Sequence, residues 1–409
     1  MLDFPLPGAR SWLAAGGRGG KIGGSERTLE FVRVITRRTL LRAAGAVALA
    51  PATALSGPRV GLASAEPENL ASLLAPVRSQ HGMPALAAAY VRGTDLAALG
   101  AVGDRRVGVN DPVETTDRFH LGSCTKSMTA TLIARLVEQG LLDWKASVAE
   151  IFPDLRKAIH PGYRAVTLVQ LLSHRAGMPY IRGPDRAPLR ALAGPLPEQR
   201  RTVVASALRQ APASEPGSRF EYSNVGYVVA GAMAEQTTGQ AWEELMRRLV
   251  FGPLGMTTAG FGAPGRGQPW GHVARGCEAV SFLRADADIP EVLGPNGTVH
   301  STLADWAAYA SLHLQGAQGQ SGLLLKPASF AELHRDHFAQ GWALGWELVD
   351  RAWARGRTLT HRGSNGLWYA VIWIAPSRNV AFLAATNCGA EEGRHACGAA
   401  GAAMIKKFL

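Results

Sequence analysis

The chain has 409 residues, a formal net charge of +11, and 47% hydrophobic against 18% charged residues. That balance excludes wholesale disorder, which needs low hydrophobicity and a high charge fraction. Four cysteines are too few for a disulfide scaffold, and no G-x-y period or sustained heptad supports a fibrous reading.

The charge is uneven along the chain. Residues 1–65 hold nine Arg or Lys against three acidic residues, more than half of the basic excess. A nucleic-acid partner would need basic residues clustered on a folded face, so none is expected. Within this segment Thr36-Arg37-Arg38-Thr39-Leu40-Leu41-Arg42 resembles the twin-arginine export motif. The apolar run Ala43 to Leu55 and the A-x-A site Ala63-Ser64-Ala65 follow it in the order an export leader requires. The run is shorter than the ~20 apolar residues of a stable membrane span. These features predict a leader over 1–65, a mature domain over 66–409, and a periplasmic or secreted location.

After the leader, Leu70, Leu73, Leu74 and Val77 have helical spacing within Asn69 to Gln80. Pro84 to Arg92 and Asp95 to Val102 read as a strand pair around Gly93-Thr94. A helix is expected from Ser123 to Gly140, with Met128, Leu132, Ile133 and Leu136 inward and Gly140 as its stop. Val166 to Ser173 and Tyr227 to Thr238 read as helices, the second ended by Gly239. Arg182 to Pro197, rich in Pro, Gly and Arg, reads as a long loop, a candidate lid. Leu367 to Ala375 and Asn379 to Ala385 form a strand hairpin around Pro376-Ser377-Arg378, and Ala396 to Phe408 closes as a helix. Strands at both ends with helices between them require a sheet assembled from distant segments.

The chemistry begins at Ser123-Cys124-Thr125-Lys126, the only S-x-x-K in the chain. Residues three apart share a helix face, so the amine reaches the hydroxyl. Serine is a weak nucleophile until a base takes its proton, and a desolvated lysine is such a base. The chain uses seven lysines against 36 arginines, yet places a lysine here, where arginine could not shed a proton. Tyr222-Ser223-Asn224 is the only Y-x-N. A tyrosine beside a lysine can serve as a base, and Asn224 offers both a donor and an acceptor. His361-Arg362-Gly363-Ser364 precedes the last apolar strands, and Gly363 permits close backbone approach at a sheet edge.

Taken in order, Ser123-x-x-Lys126, Tyr222-x-Asn224 and His361-x-Gly363 resemble the serine β-lactamase and penicillin-binding protein superfamily. The class C-like branch, with its esterases and D-amino-acid peptidases, is the nearest. Leu171-Leu172-Ser173-His174-Arg175-Ala176-Gly177-Met178-Pro179 resembles that branch's L-L-S-H-T-S-G-L-P loop. Pro216-Gly217 to Gly231, Pro253-Leu254-Gly255-Met256 and Gly294-Pro295-Asn296-Gly297 have counterparts too. The resemblance implies an α+β fold, an antiparallel sheet flanked by helices with a mostly helical insertion, and a site in the cleft between them. It implies Ser123 as nucleophile, Lys126 as its partner, and Tyr222 as the base or as sharing that role with Lys126. Asn224 would contact substrate, and the backbone N–H groups of Ser123 and Ser364 would form the oxyanion hole. His361 and Arg362 stand where much of the family has Lys and Thr, Arg175-Ala176 replaces Thr-Ser, and no E-x-x-L-N occurs. An acyl-enzyme hydrolase of small-molecule esters, D-amino-acid amides or peptides is therefore expected. The alternatives are a class C-type β-lactamase and a non-catalytic cell-wall receptor.

Neither cofactor nor metal is expected: His334 and His337 read as surface histidines, with no H-E-x-x-H or cysteine cluster beside them. His174 reads as structural and Cys124 as a small core residue. Trp346 and Trp368 are candidates to line an apolar acyl pocket, and Cys388 with Cys397 is a candidate disulfide.

Overall fold

The computed structural model describes residues 66–181, 186–273, 278–279, 288–321 and 324–409. The expected leader lies outside them. The main sheet has seven strands: β1 (Glu68–Asn69), β2 (Ala85–Arg92), β3 (Asp95–Gly103), β4 (Glu347–Arg351), β5 (Gly356–Ser364), β6 (Tyr369–Ala375) and β7 (Val380–Thr386). Their order is β1-β3-β2-β7-β6-β5-β4, antiparallel throughout except for the two-residue edge β1, which runs parallel to β3. The sheet is thus made from both ends of the domain, as expected, and β2 pairs with β7 at its centre.

The central strands read as near-continuous apolar runs because both faces are covered. Every residue of β7 is buried. The hairpin joining β6 to β7 has Pro376 at the start of its turn and Asn379 in the left-handed region at φ +57°, which short Asn tolerates. One face packs against helices α1 (Ala71–Gln80) and the C-terminal Glu391–Phe408, through Leu70, Leu74, Tyr90, Phe382, Ala396 and Met404. The other face carries the helix Leu303–Ala317, packed on β2 and β7.

Between β3 and β4 lies the helical insertion. It contains α2 (Thr125–Glu138), α3 (Leu196–Arg209) and α4 (Asn224–Thr238) ahead of α5, the sheet-packing helix Leu303–Ala317, while α6 is Glu391–Phe408. Gly140 and Gly239 follow their helices with φ +70° and +68°, the left-handed stops anticipated from the sequence. A small sheet of Arg118–His120, Val299–Thr302 and Gly260–Phe261 leads the chain into α2.

Four expectations change. The helices expected from Tyr227 and Ala396 begin earlier, at Asn224 and Glu391. Of the candidate lid, 182–185 lies outside the described residues, Ala187–Arg190 is helical and α3 starts at Leu196; Pro188 and Pro197 sit in first helical turns, where the missing N–H costs nothing. Cys388 is disulfide-bonded whereas Cys397 is a free buried thiol, so these two are not partners. His334 is half-buried, more enclosed than the surface reading expects: its Nε2 lies 2.9 Å from His313 Nδ1, and desolvation drives its pKa down to about 3.

Candidate active site

Ser123 sits in a 3₁₀ turn (Gly122–Cys124) that runs directly into α2. The turn is pinned from below, where Thr125 Oγ1 donates to Gly122 O at 2.8 Å and accepts Val299 N–H at 3.0 Å. It is pinned from the sheet side by β5. A Cβ added to Gly363 would lie 1.9 Å from Leu121 O and 2.6 Å from Ser123 N, so only glycine fits where strand and turn meet. Cys124 points into this seam with Sγ 3.6 Å from His361 O, the small core residue expected.

One turn on, Lys126 is fully buried while Ser123 remains partly exposed. Lys126 Nζ lies 3.1 Å from Ser123 Oγ, 2.9 Å from Asn224 Oδ1 and 2.8 Å from Asn296 O. Burial pushes its pKa well below the usual lysine range, and the charge of Arg186 acts in the same direction. A neutral amine has two N–H donors and one lone pair. In that form the two oxygens of Asn224 and Asn296 take the donors and the lone pair faces the Ser123 hydroxyl, whereas in the charged form Nζ donates to all three. The neutral form has the hydrogen-bond pattern of a general base already aimed at its nucleophile.

Tyr222 lies in the extended segment before α4, and His174 brackets it. His174 O accepts Glu221 N–H at 2.8 Å, and His174 Nδ1 accepts Ser223 N–H at 3.0 Å. The His174 backbone is held at φ +59° to do this, an uncommon conformation for a side-chain-bearing residue. The Tyr222 ring centroid is 4.9 Å from Lys126 Nζ, and the Ser123 side chain acts on its hydroxyl by lowering its pKa against the effect of burial. Burial raises the Tyr222 pKa, so the phenol stays protonated. Of the two bases left open by the sequence, the geometry favours Lys126, with Tyr222 able to pass a proton.

His361 is buried on β5, with its ring 5.6 Å from that of Trp342 in an edge contact. Its Nδ1 lies 2.8 Å from Arg362 O, and a carbonyl only accepts, so Nδ1 carries the proton. Burial holds its pKa down to about 3, and any proton on Lys126 acts in the same direction. Nε2 is therefore a bare acceptor, buried and without a hydrogen-bond partner. Arg362, next along the strand, pairs instead with Glu347 at 2.9 Å. Ser364 ends β5 exposed, and an added Cβ on Gly122 would lie 2.5 Å from its backbone N. The residues singled out from the sequence (Ser123, Lys126, Tyr222, Asn224, His361, Gly363 and Ser364) are thus brought to one place from four elements.

Three contributors went unseen in the sequence. Asn296 acts through its carbonyl, Arg186 through a charge felt at Lys126, and Trp342 through the aromatic wall it forms with Phe220, Tyr222 and His174. Trp342 takes the place expected for Trp346 and Trp368. Those two are buried away from the cleft, Trp346 against Tyr309 and His313, Trp368 against His120.

A family model described as beta-lactamase matches residues 70–403. The chain is 28% identical over 345 residues to penicillin-binding protein 4 of Amycolatopsis lactamdurans, covering 76% of this chain and 83% of that protein. It is 29% identical over 255 residues to the lovastatin esterase of Penicillium rubens, covering 58% of this chain and 60% of the esterase. Its fold is similar to that of a D-stereospecific amidohydrolase from a Streptomyces species, with a TM-score of 0.63 at 22% identity over 83% of this chain and 97% of that one. The motif order, the sheet closed by both ends of the domain and the match over 70–403 agree: this chain belongs to the β-lactamase family of serine hydrolases.

Proposed function

We propose that the chain is an exported serine acyl hydrolase that works through an acyl-enzyme on neutral ester or D-amino-acid amide substrates. The observation that carries this reading is the fully buried Lys126 amine, 3.1 Å from the hydroxyl of a partly exposed Ser123. Ser123 Oγ attacks the substrate carbonyl carbon as its proton passes to Lys126 Nζ. The resulting oxyanion is met by the Ser123 and Ser364 N–H groups, donors whose loss costs about 100–1,000-fold in comparable sites. Collapse breaks the bond to the leaving group, which takes the proton back through Lys126 or the Tyr222 hydroxyl. Water then repeats the sequence on the acyl-enzyme and frees Ser123.

Substrate choice follows from His361. A neutral acceptor here offers no charge to a carboxylate and favours a substrate N–H or O–H instead. The names of the relatives, an esterase and an amidohydrolase among them, support this class. Export is supported by the twin-arginine pair with its apolar run and A-x-A site, and by the Cys388 disulfide, which suits an oxidising compartment.

Covalent labelling tests the core of the reading. The wild-type chain is expected to take a fluorophosphonate or fluorescent penicillin once per molecule, and Ser123→Ala to take none while keeping its thermal midpoint. Lys126→Arg is expected to label and turn over almost as poorly, because the cation stays but cannot shed its proton. Undiminished labelling in Ser123→Ala would overturn the nucleophile.

A further inference from the structure

Beneath the nucleophile turn lies a buried polar ring that the mechanism above does not use. His120, fully buried on the strand before the turn, accepts the Gly122 N–H on Nδ1 at 3.1 Å. A backbone N–H only donates, so Nδ1 is the bare nitrogen, and burial keeps the ring neutral with its proton on Nε2. Nε2 has no hydrogen-bond partner of normal geometry and faces Asp288 Oδ1 at 3.4 Å. The same carboxylate oxygen accepts Asn365 Nδ2–H at 2.8 Å and Ile289 N–H at 2.7 Å. Asn365 Oδ1 accepts the N–H groups of both Leu367 and Trp368 at 3.0 Å, which fixes its side chain. The ring of Trp368 stacks back on His120 at 5.8 Å and closes the circuit.

We propose that Asp288 is a positioning residue, which through His120 and Asn365 sets the separation of the two backbone segments that hold the oxyanion. This rests on the reading of Ser123 as nucleophile. Gly122, gripped by His120, precedes Ser123; Asn365, gripped by Asp288, follows Ser364. A single carboxylate oxygen therefore bridges the two arms on which the Ser123 and Ser364 N–H groups are carried, with Gly122 and Ser364 already in close approach. Asp288 touches none of the reacting atoms in this arrangement. Its effect is on spacing: donors must lie about 2.7–3.1 Å from the oxyanion, and a displacement of about 1 Å can cost roughly 100-fold. Because the oxyanion exists only after attack, such an error falls on kcat and leaves ground-state binding alone.

The experiment measures kcat and KM for a p-nitrophenyl ester on the full chain, normalised to sites titrated with fluorophosphonate, alongside thermal midpoints. Asp288→Ala is expected to lower kcat about 10–100-fold with KM within about threefold of wild type. Asp288→Asn, whose amide oxygen still accepts from Asn365 and still faces His120 Nε2, is expected to recover most of the loss. His120→Asn keeps an acceptor for Gly122 but loses the link to Asp288, and is expected to fall between wild type and His120→Leu. Should Asp288→Ala fail to fold, Asn365→Ala cuts the second arm with the carboxylate retained, and carries the same expectation. Wild-type kcat per titrated site in Asp288→Ala or Asn365→Ala would overturn the proposal, as would a fall in kcat accounted for wholly by lost titratable enzyme. An unlabelled wild-type chain would instead overturn the nucleophile assignment, and the positioning role with it.

Discussion

Desolvation decides the protonation state of the groups nearest Ser123, and it acts in opposite senses on different chemistries. It disfavours the charged form, so Lys126 is driven well below the usual lysine range, His361 down to about 3, and Tyr222 up. A site without a fixed cation at His361 is expected to turn over a neutral p-nitrophenyl ester with a higher kcat/KM than a carboxylate-bearing chromogenic cephalosporin. His361→Lys is expected to shift the ratio towards the cephalosporin. A wild-type preference for the cephalosporin would overturn this and point to Arg186, since Arg362 is engaged by Glu347. Side chains that do chemistry were legible in the sequence because only certain residue types can do it: a nucleophile, a titratable amine, an amide. Asn296 was not, since any residue there would offer a carbonyl, and its amide side chain plays no part in holding Lys126. Trp342 was not, because tryptophans at 342, 346 and 368 look alike until the fold decides which one faces the cleft.

At the scale of elements, the insertion is tied to itself by a buried charge cluster. Arg200 of α3 is fully buried, with Nε 3.2 Å from Glu235 on α4 and Nη2 2.7 Å from Glu243 on the helix Trp242–Met246. Two carboxylates share one guanidinium, and burial lifts the Glu235 pKa to about 7, so the pair holds a proton over part of the working range. Folding therefore gains stability below the unfolded pKa of about 4.5 and loses it as pH rises through about 7. Arg200→Leu is expected to cost about 3–5 kcal/mol in denaturant unfolding near pH 8, since it strands both carboxylates. Near pH 5.5, where they can take up protons, the loss is expected to shrink, and an equal loss at the two pH values would contradict this account. Elements of this kind were readable from sequence where periodicity and a glycine stop agreed, as in α2 and α4. They were missed where a buried polar contact or a proline-capped turn set the boundary, as at Ala187–Arg190.

For the whole molecule, the leader and the disulfide belong to one expectation. Replacing Arg37-Arg38 by Lys-Lys is expected to hold the chain in the cytoplasm, and mass spectrometry of exported wild type is expected to find Glu66 at its N-terminus. Unchanged export of the Lys-Lys variant, or a different mature terminus, would contradict it. The order in which the chain is made adds a consequence of the seam between the nucleophile turn and β5. Cys124 and His361 meet across 237 positions, and Ala85 N–H waits for Asn387 Oδ1 across 302. Such non-local closure is slow and must follow synthesis of the last strands. A ribosome-bound chain that already displays Ser123 and Lys126 has β3 beside β2 but lacks β5, His361 and the β7 strand that pairs with the other edge of β2. Fragments that stop short of β5 lack His361, Gly363 and Ser364, and are expected to leave Ser123 unlabelled by a fluorophosphonate whatever other motifs they contain.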